Sequence, residues 1–206
     1  PTTQILLARP PLVNRDLVLI QGIEPNMRWK QFTAEIVGLA SELGIGMVVT
    51  LGALLSDTPH TRPVPVTSST SDRGLQASLG IEASHYEGPT GIVGVLQEAC
   101  TNFGLAAVSL WAAVPHYVAQ PPCPKASLAL IRRIEDILDI SIPLGDLIED
   151  SRAWEVGVDE LAADDEEVAE YVRQLEEVRD ATDLPEASGE AIAREFERYL
   201  RRRDND

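Results

Sequence analysis

Along the first two thirds of the chain, short apolar runs alternate with longer stripes in which apolar residues recur every three or four positions. Gln4 to Ala8 and Asp16 to Gln21 are short runs separated by Pro10, Pro11 and Asn14, which predicts two strands around a turn. From Arg28 the period changes. Trp29, Phe32, Ile36, Leu39 and Leu43 form the stripe of an amphipathic helix that Gly44 is placed to end. A strand is expected from Ile45 to Leu51, followed by the polar segment His60 to Thr70, whose prolines confine it to extended or loop conformations. A short helix after Asp72 is expected to end at Gly80. Ile92, Val95, Leu96, Ala99, Cys100 and Phe103 give the next helix, entered through Gly88-Pro89-Thr90-Gly91 and closed by Gly104. Leu105 to Val114 is almost continuously apolar, the pattern of a strand covered on both faces by helices. Trp29, Phe32, Trp111 and Cys100 are accordingly assigned to the core.

After a proline-rich loop, Leu130, Ile131, Ile134, Ile137 and Leu138 mark one side of a helix. Beyond Pro143 the pattern is helical only. Val168, Tyr171, Val172, Leu175 and Val178 form one stripe; Ile192, Phe196, Tyr199 and Leu200 form another after a cap at Ser188, with Asp183 to Gly189 as a linker. Strands alternating with helices of this length imply an α/β layered sheet.

Charge sharpens the division. The 206 residues carry 33 acids against 17 bases, a formal net charge of −16. So acidic a chain repels a polyanion, and a nucleic-acid partner is not expected. Residues 1–148 hold 13 acids and 9 bases, whereas residues 149–206 hold 20 acids and 8 bases. The break predicts an α/β sheet domain over 1–148 and an acidic helical appendage over 149–206. The appendage acids read as a solvated helix face, with a basic partner surface as the sharper alternative. Cys100 and Cys123 show no disulfide or zinc spacing, which fits a reducing, cytoplasmic setting. No apolar run approaches a membrane span, so no membrane partner is expected. The sequence opens at Pro1 with an apolar segment close behind, and the natural chain is expected to begin earlier.

Ligands of open α/β sheets gather beyond the carboxyl ends of strands. The polar residues there are Glu24, Asn26 and Arg28 after the second strand, Asp57, His60 and Arg62 after the third, and His116 and Tyr117 after the apolar strand. His85 and Glu87 can join them from the turn before Gly91. If the strands are parallel, Glu24, His60, Arg62 and His116 meet at one rim, where imidazole and carboxylate could do acid–base work. Taken singly, each is a common turn or capping residue. Gly88, Thr90 and Gly91 could aim backbone N–H groups at an anion from a helix N-terminus. The three histidines are dispersed, so no metal or cofactor is expected. Neither a nucleophile elbow nor a phosphate-binding loop motif occurs.

Four stretches in order carry a resemblance: GIEPNMRW at 22–29, PHTRPVPVT at 59–67, YEGPTGIVGVL at 86–96 and VPHYVAQPPCPKA at 114–126. Together they resemble the proteasome assembly chaperone family of the second type, particularly its actinobacterial and archaeal branch. The resemblance implies a three-layer α/β/α sandwich with a mixed sheet, similar to the purine nucleoside phosphorylase class. It also implies that the N-terminal strand–helix unit with which the family opens is lacking here. A hydrophobic-Tyr-X tail, by which archaeal relatives dock on proteasomes, is replaced by Arg-Asp-Asn-Asp.

Two function classes follow. The first is a non-enzymatic interaction or assembly-chaperone-like protein, linked to proteasome subunits. The second is a small-molecule binder or hydrolase-like enzyme using the polar rim. Self-association into a closed homo-oligomer, a trimer or its multiple, is expected from the apolar surface that a missing unit would leave.

Overall fold

The computed structural model describes residues 3–10, 15–81, 91–118 and 120–183. The chain divides into two compact units, each assembled from two separated segments: Pro1–Ala53 with Val66–Trp111, and Leu54–Pro65 with Ala112–Asp206.

The first unit opens with β1 (Gln4–Ala8) and β2 (Leu17–Gln21), paired antiparallel with Gln4 opposite Gln21 and Ala8 opposite Leu17. Ile5, Leu6, Leu7, Leu19 and Ile20 are all exposed, so among the described residues both faces of this ribbon keep apolar side chains open, while Ala8, Leu17 and Val18 at its other end are half-buried. Helix α1 (Trp29–Glu42) buries Thr33, Ile36, Val37 and Ala40, and Gly44 follows its end at a left-handed φ of 64°. Its packing partner is α3 (Ile92–Phe103). Between them, Val37, Cys100 and Ala107 form a core joined by Val48, Leu96, Ala99 and Leu105.

A three-stranded sheet has the order β3 (Met47–Ser56), β5 (Ala106–Pro115), β4 (Val66–Ser69). The central position of β5 explains its nearly continuous apolar sequence, with Val108, Leu110 and Ala112 wholly buried. Its one buried hydroxyl is fully used. Ser109 Oγ donates to Gln97 Oε1 at 2.9 Å, so it accepts from Thr50 Oγ1 at 2.6 Å. Helix α2 (Arg73–Leu79) starts on an Asp72 carboxylate that accepts from Gly74 N and Leu75 N, and stops at Gly80. The helix after Asp72 and its stop at Gly80 are the sequence expectation fulfilled, and the Asp72 cap explains its start.

The second unit holds a 3-10 turn (His116–Val118), α4 (Pro124–Leu138), α5 (Leu147–Ala163) and α6 (Glu166–Asp183). Helices α4 and α5 pack together, as do α5 and α6. β3 and β5 each begin in one unit and end in the other.

Four expectations need correction. The strand placed at Ile45 to Leu51 runs instead from Met47 to Ser56. The proline-containing segment contributes β4, because its prolines stop at Pro65 and leave Val66–Ser69 free to pair. Trp29, Phe32 and Trp111 are half-buried, and smaller residues fill the core in their place. Trp111 lies over Gly52, where a Cβ would come within 2.5 Å of the indole ring. In α4 the fully buried positions are Ala126, Leu128 and Glu135; the Leu130 to Leu138 stripe is half-buried. Glu135 is kept inside because its Oε1 accepts from Ile142 N at 2.8 Å. The expected linker, the cap at Ser188 and the closing helix lie outside the described residues.

Candidate functional site

In the second unit, the segment leaving β3 carries Asp57, Thr58, His60, Thr61 and Arg62 past the 3-10 turn and helices α4 to α6. His60 is its anchor, with only 2% of its surface exposed. Nδ1 lies 2.8 Å from Tyr117 Oη and Nε2 lies 2.9 Å from Asp159 Oδ1. The backbone N–H of His60 also donates to Tyr117 Oη at 2.8 Å. In the neutral imidazole these contacts fix one tautomer. A carboxylate only accepts, so Nε2 carries the hydrogen; Nδ1 is then the acceptor of the tyrosine hydroxyl, whose oxygen takes the backbone N–H. Burial pushes the Tyr117 phenol up to about 12, which keeps that donor in place. The carbonyl of His60 accepts from Lys125 Nζ, which also meets Glu155 Oε2 at 2.5 Å.

Arg62 lies in a second group. Its Nε and Nη2 donate to the two oxygens of Asp180 at 2.7 and 2.8 Å, and Nη1 donates to Glu176 Oε1 at 3.2 Å. Thr61 Oγ1 donates to the same Glu176 oxygen. The forked pairing holds the Asp180 carboxyl below its usual range and raises the guanidinium, Asp180 being the largest cause in the latter case. A third group is more exposed. Asp57 Oδ1 accepts from Tyr171 Oη at 3.0 Å and lies 3.3 Å from His116 Nδ1. The His116 ring meets Tyr117 and Tyr171 edge-on, at centroid distances of 5.9 and 5.3 Å. Desolvation, and after it the Asp57 carboxylate, raises the Tyr171 phenol. Thr58 is buried within this segment, and its hydroxyl has no hydrogen-bond partner among the described residues.

Asp57, His60, Arg62, His116 and Tyr117 thus all lie in the second unit, distributed over these three groups. Glu24, Asn26 and Arg28 belong to the other unit. There Glu24 Oε1 accepts from Ile92 N at 2.6 Å, so the carboxylate occupies the N-terminus of α3 beside Gly91. A carboxylate of the chain itself thus meets the partial positive charge at that helix start. Asn26 is exposed, and Arg28 takes a left-handed φ of 59° where α1 begins. His85, Glu87, Gly88 and Thr90 lie outside the described residues.

The pattern of the sequence missed the partners: Lys125, Glu155, Asp159, Tyr171, Glu176 and Asp180. A signal was available. Glu155 and Asp159 are four apart on α5, and Glu176 and Asp180 four apart on α6, so each pair shares a helix face. Among the described residues no three His, Cys, Asp or Glu side chains could hold a metal ion together. Cys100 and Cys123 both have thiols raised by burial, which suppresses the nucleophilic thiolate.

The PAC2 family model matches residues 1–162. The structure of a PAC2 family protein from Streptomyces avermitilis is 60% identical, with 82% of this chain and 71% of that one covered at a TM-score of 0.76. A proteasome-assembly chaperone homologue of Mycobacterium tuberculosis is 51% identical, covering 82% and 72% at a TM-score of 0.75. A second M. tuberculosis protein, of unknown function, is 27% identical, covering 89% and 62% at a TM-score of 0.81. What this chain shares with them is an α/β fold with a mixed sheet and helical layers. The fold recurs in archaeal structures from Pyrococcus furiosus. No curated protein matches the chain.

Proposed function

The chain belongs to the PAC2 family, and from that premise we propose that it is a non-enzymatic interaction protein of the assembly-chaperone kind, with proteasome subunits as partners. The observation that carries this reading is the fate of the best acid–base candidate. His60 is buried, and both its ring nitrogens are engaged by Tyr117 and Asp159. An imidazole so enclosed holds a loop in place and offers no free nitrogen to a substrate. The rim-site alternative loses its central group by the same contacts, and Glu24 is spent on the α3 N-terminus. The description of the M. tuberculosis relative as a proteasome-assembly chaperone homologue supports the choice of partner.

Finer features of the reading go with it. The architecture is a three-layer α/β/α sandwich akin to the purine nucleoside phosphorylase class. Residues 1–148 act as the sheet domain and residues 149–206 as an acidic helical appendage. The protein works in the cytoplasm as a closed homo-oligomer, a trimer or its multiple; the uncovered apolar ribbon of Ile5, Leu6, Leu7, Leu19 and Ile20 supports a protein contact of this kind. Among the described residues no helix is long and apolar enough to cross a membrane.

The test is affinity capture of the tagged chain from its source cells, with the eluate identified by mass spectrometry. Recovery of 20S proteasome subunits, reduced when the ribbon residues Leu6 and Leu19 are replaced by Asp, is the expected result. Wild-type capture that recovers other proteins and no proteasome subunit overturns the choice of partner. Turnover of a small molecule by the purified chain, abolished by His60→Gln, overturns the non-enzymatic reading.

A further inference from the structure

Helix α6 differs from its neighbours in what holds it. Among its described residues Val172 alone is fully buried, with Val168, Ala169, Leu175 and Arg179 half-buried, whereas α5 buries Ser151, Val158 and Ala162. The remaining contacts on α6 that join it to the 57–62 segment are polar: Tyr171 to Asp57, Glu176 to Thr61 and Arg62, and Asp180 to Arg62. Asp180 is more than half exposed, so water and salt reach the strongest of these pairs.

The helix is also built to persist on its own. Asp165 Oδ1 accepts from Glu167 N at 2.9 Å and Val168 N at 3.3 Å, a complete N-cap. Glu166 and Glu167 in the first turn complement the helix dipole. Glu170 then accepts from Arg173 and Gln174, pairs internal to the helix. The break at Asp164 and Asp165 separates this self-sufficient helix from the end of α5. A rigid element with one buried apolar anchor, a polar latch and a short joint is a strap.

We propose that α6 is a strap that swings from the 57–62 segment as a unit, with Arg62 as its latch. Opening breaks the Asp180 and Glu176 pairs and the Tyr171 bond together, and bares Thr61, Arg62 and the edge of the His116 and Tyr117 rings. The His60 anchor stays closed, because its partners Tyr117, Lys125 and Asp159 lie on other elements. What is uncovered is the Arg62 guanidinium near the His116 and Tyr117 rings, with the Asp57 carboxylate that Tyr171 releases.

Native-state hydrogen exchange read by mass spectrometry on the full chain tests the strap. Amides of residues 168–180 are expected to exchange well before those of β5 and of α5. Arg62→Gln should speed them about fivefold, and 0.5 M NaCl should do the same for the wild-type chain, each measured against β5 in the same sample. Exchange of α6 in step with α5 and β5 overturns the proposal. So does an α6 rate that changes with neither salt nor the substitution. Should Arg62→Gln fail to fold, the salt response of the wild type decides the matter alone.

Discussion

Tyr117→Phe removes one oxygen from the protein and two hydrogen bonds from the buried His60. In the native chain that oxygen accepts the His60 N–H and its hydrogen goes to Nδ1. The imidazole cannot compensate by changing tautomer, since Nε2 must keep its hydrogen for Asp159. With phenylalanine in place, a backbone donor and a ring acceptor are both left unpaired at a residue that water does not reach. Each such group costs about 1–3 kcal/mol. Relief of the buried hydroxyl's own desolvation offsets part of the sum, and the net loss should be about 2–3 kcal/mol. With a urea dependence of about 2 kcal/mol per molar for a chain of this size, the unfolding midpoint should fall by roughly 1–1.5 M. The assay is urea unfolding followed by far-UV circular dichroism. Tyr171→Phe is the control. Its hydroxyl bonds a solvent-exposed Asp57, and its loss should cost less than about 0.5 kcal/mol. In the double mutant with His60→Leu the two effects should fall short of additive by about 1 kcal/mol. A Tyr117→Phe chain within about 0.5 kcal/mol of wild type would show that these bonds do not anchor the segment.

Thr58→Val removes a buried hydroxyl that has no partner among the described residues, so stability should hold or rise by about 1 kcal/mol; a loss above that in the same urea assay refutes the assignment. Gly52→Ala drives a Cβ into the Trp111 ring and should cost about 1–3 kcal/mol with a shift in indole fluorescence, whereas Gly38→Ala, whose Cβ meets nothing within 4 Å in the middle of α1, should stabilise by about 0.5–1 kcal/mol. On the alkaline side, the folded chain holds the Tyr117 proton to about 12 against an ordinary 10. Stability present below 10 should therefore fall as pH rises toward 12, and Tyr117→Phe should remove that decline along with a late-ionising phenol followed by ultraviolet absorbance. On the acid side, Asp180 is depressed below 3.8 chiefly by Arg62. Its contribution should be present above 3.8 and lost as pH falls through the depressed value, an acid limb that shrinks in Arg62→Gln and in salt, read from urea midpoints.

The elements that sequence revealed are those with local causes. Asp72 and Gly80 bracket α2 because a cap and a left-handed stop act within a few residues, and β5 is legible because a central strand must be apolar on both faces. The resemblance carried by four short stretches led to the correct family. Where pairing partners are distant the pattern is silent. β3 extends five residues beyond the expected end at Leu51, through Ala53, Leu54 and Leu55, because β5 pairs alongside it, and Trp111 lies half-exposed over Gly52. The polar network follows the same rule. His60 and Arg62 attract notice as polar residues after a strand, but the carboxylates that bond them come from α5 and α6. There a Glu or Asp facing inward has the same local sequence as one facing water.

The two compact units are interleaved along the sequence, and this sets an order on their making. As the chain leaves the ribosome, residues 54–65 emerge in the middle of the first unit's sequence but belong to the second. His60 waits 99 residues for Asp159, and Arg62 waits 118 for Asp180. At bacterial or eukaryotic rates of synthesis that interval is on the order of ten seconds. Throughout it the imidazole that will be sealed inside, the arginine and the prolines beside them are open to whatever meets the nascent chain. Helices α5 and α6 close this segment, so termination just after Trp111 leaves a first unit with all its residues and a segment without Tyr117, Lys125, Asp159 or Asp180.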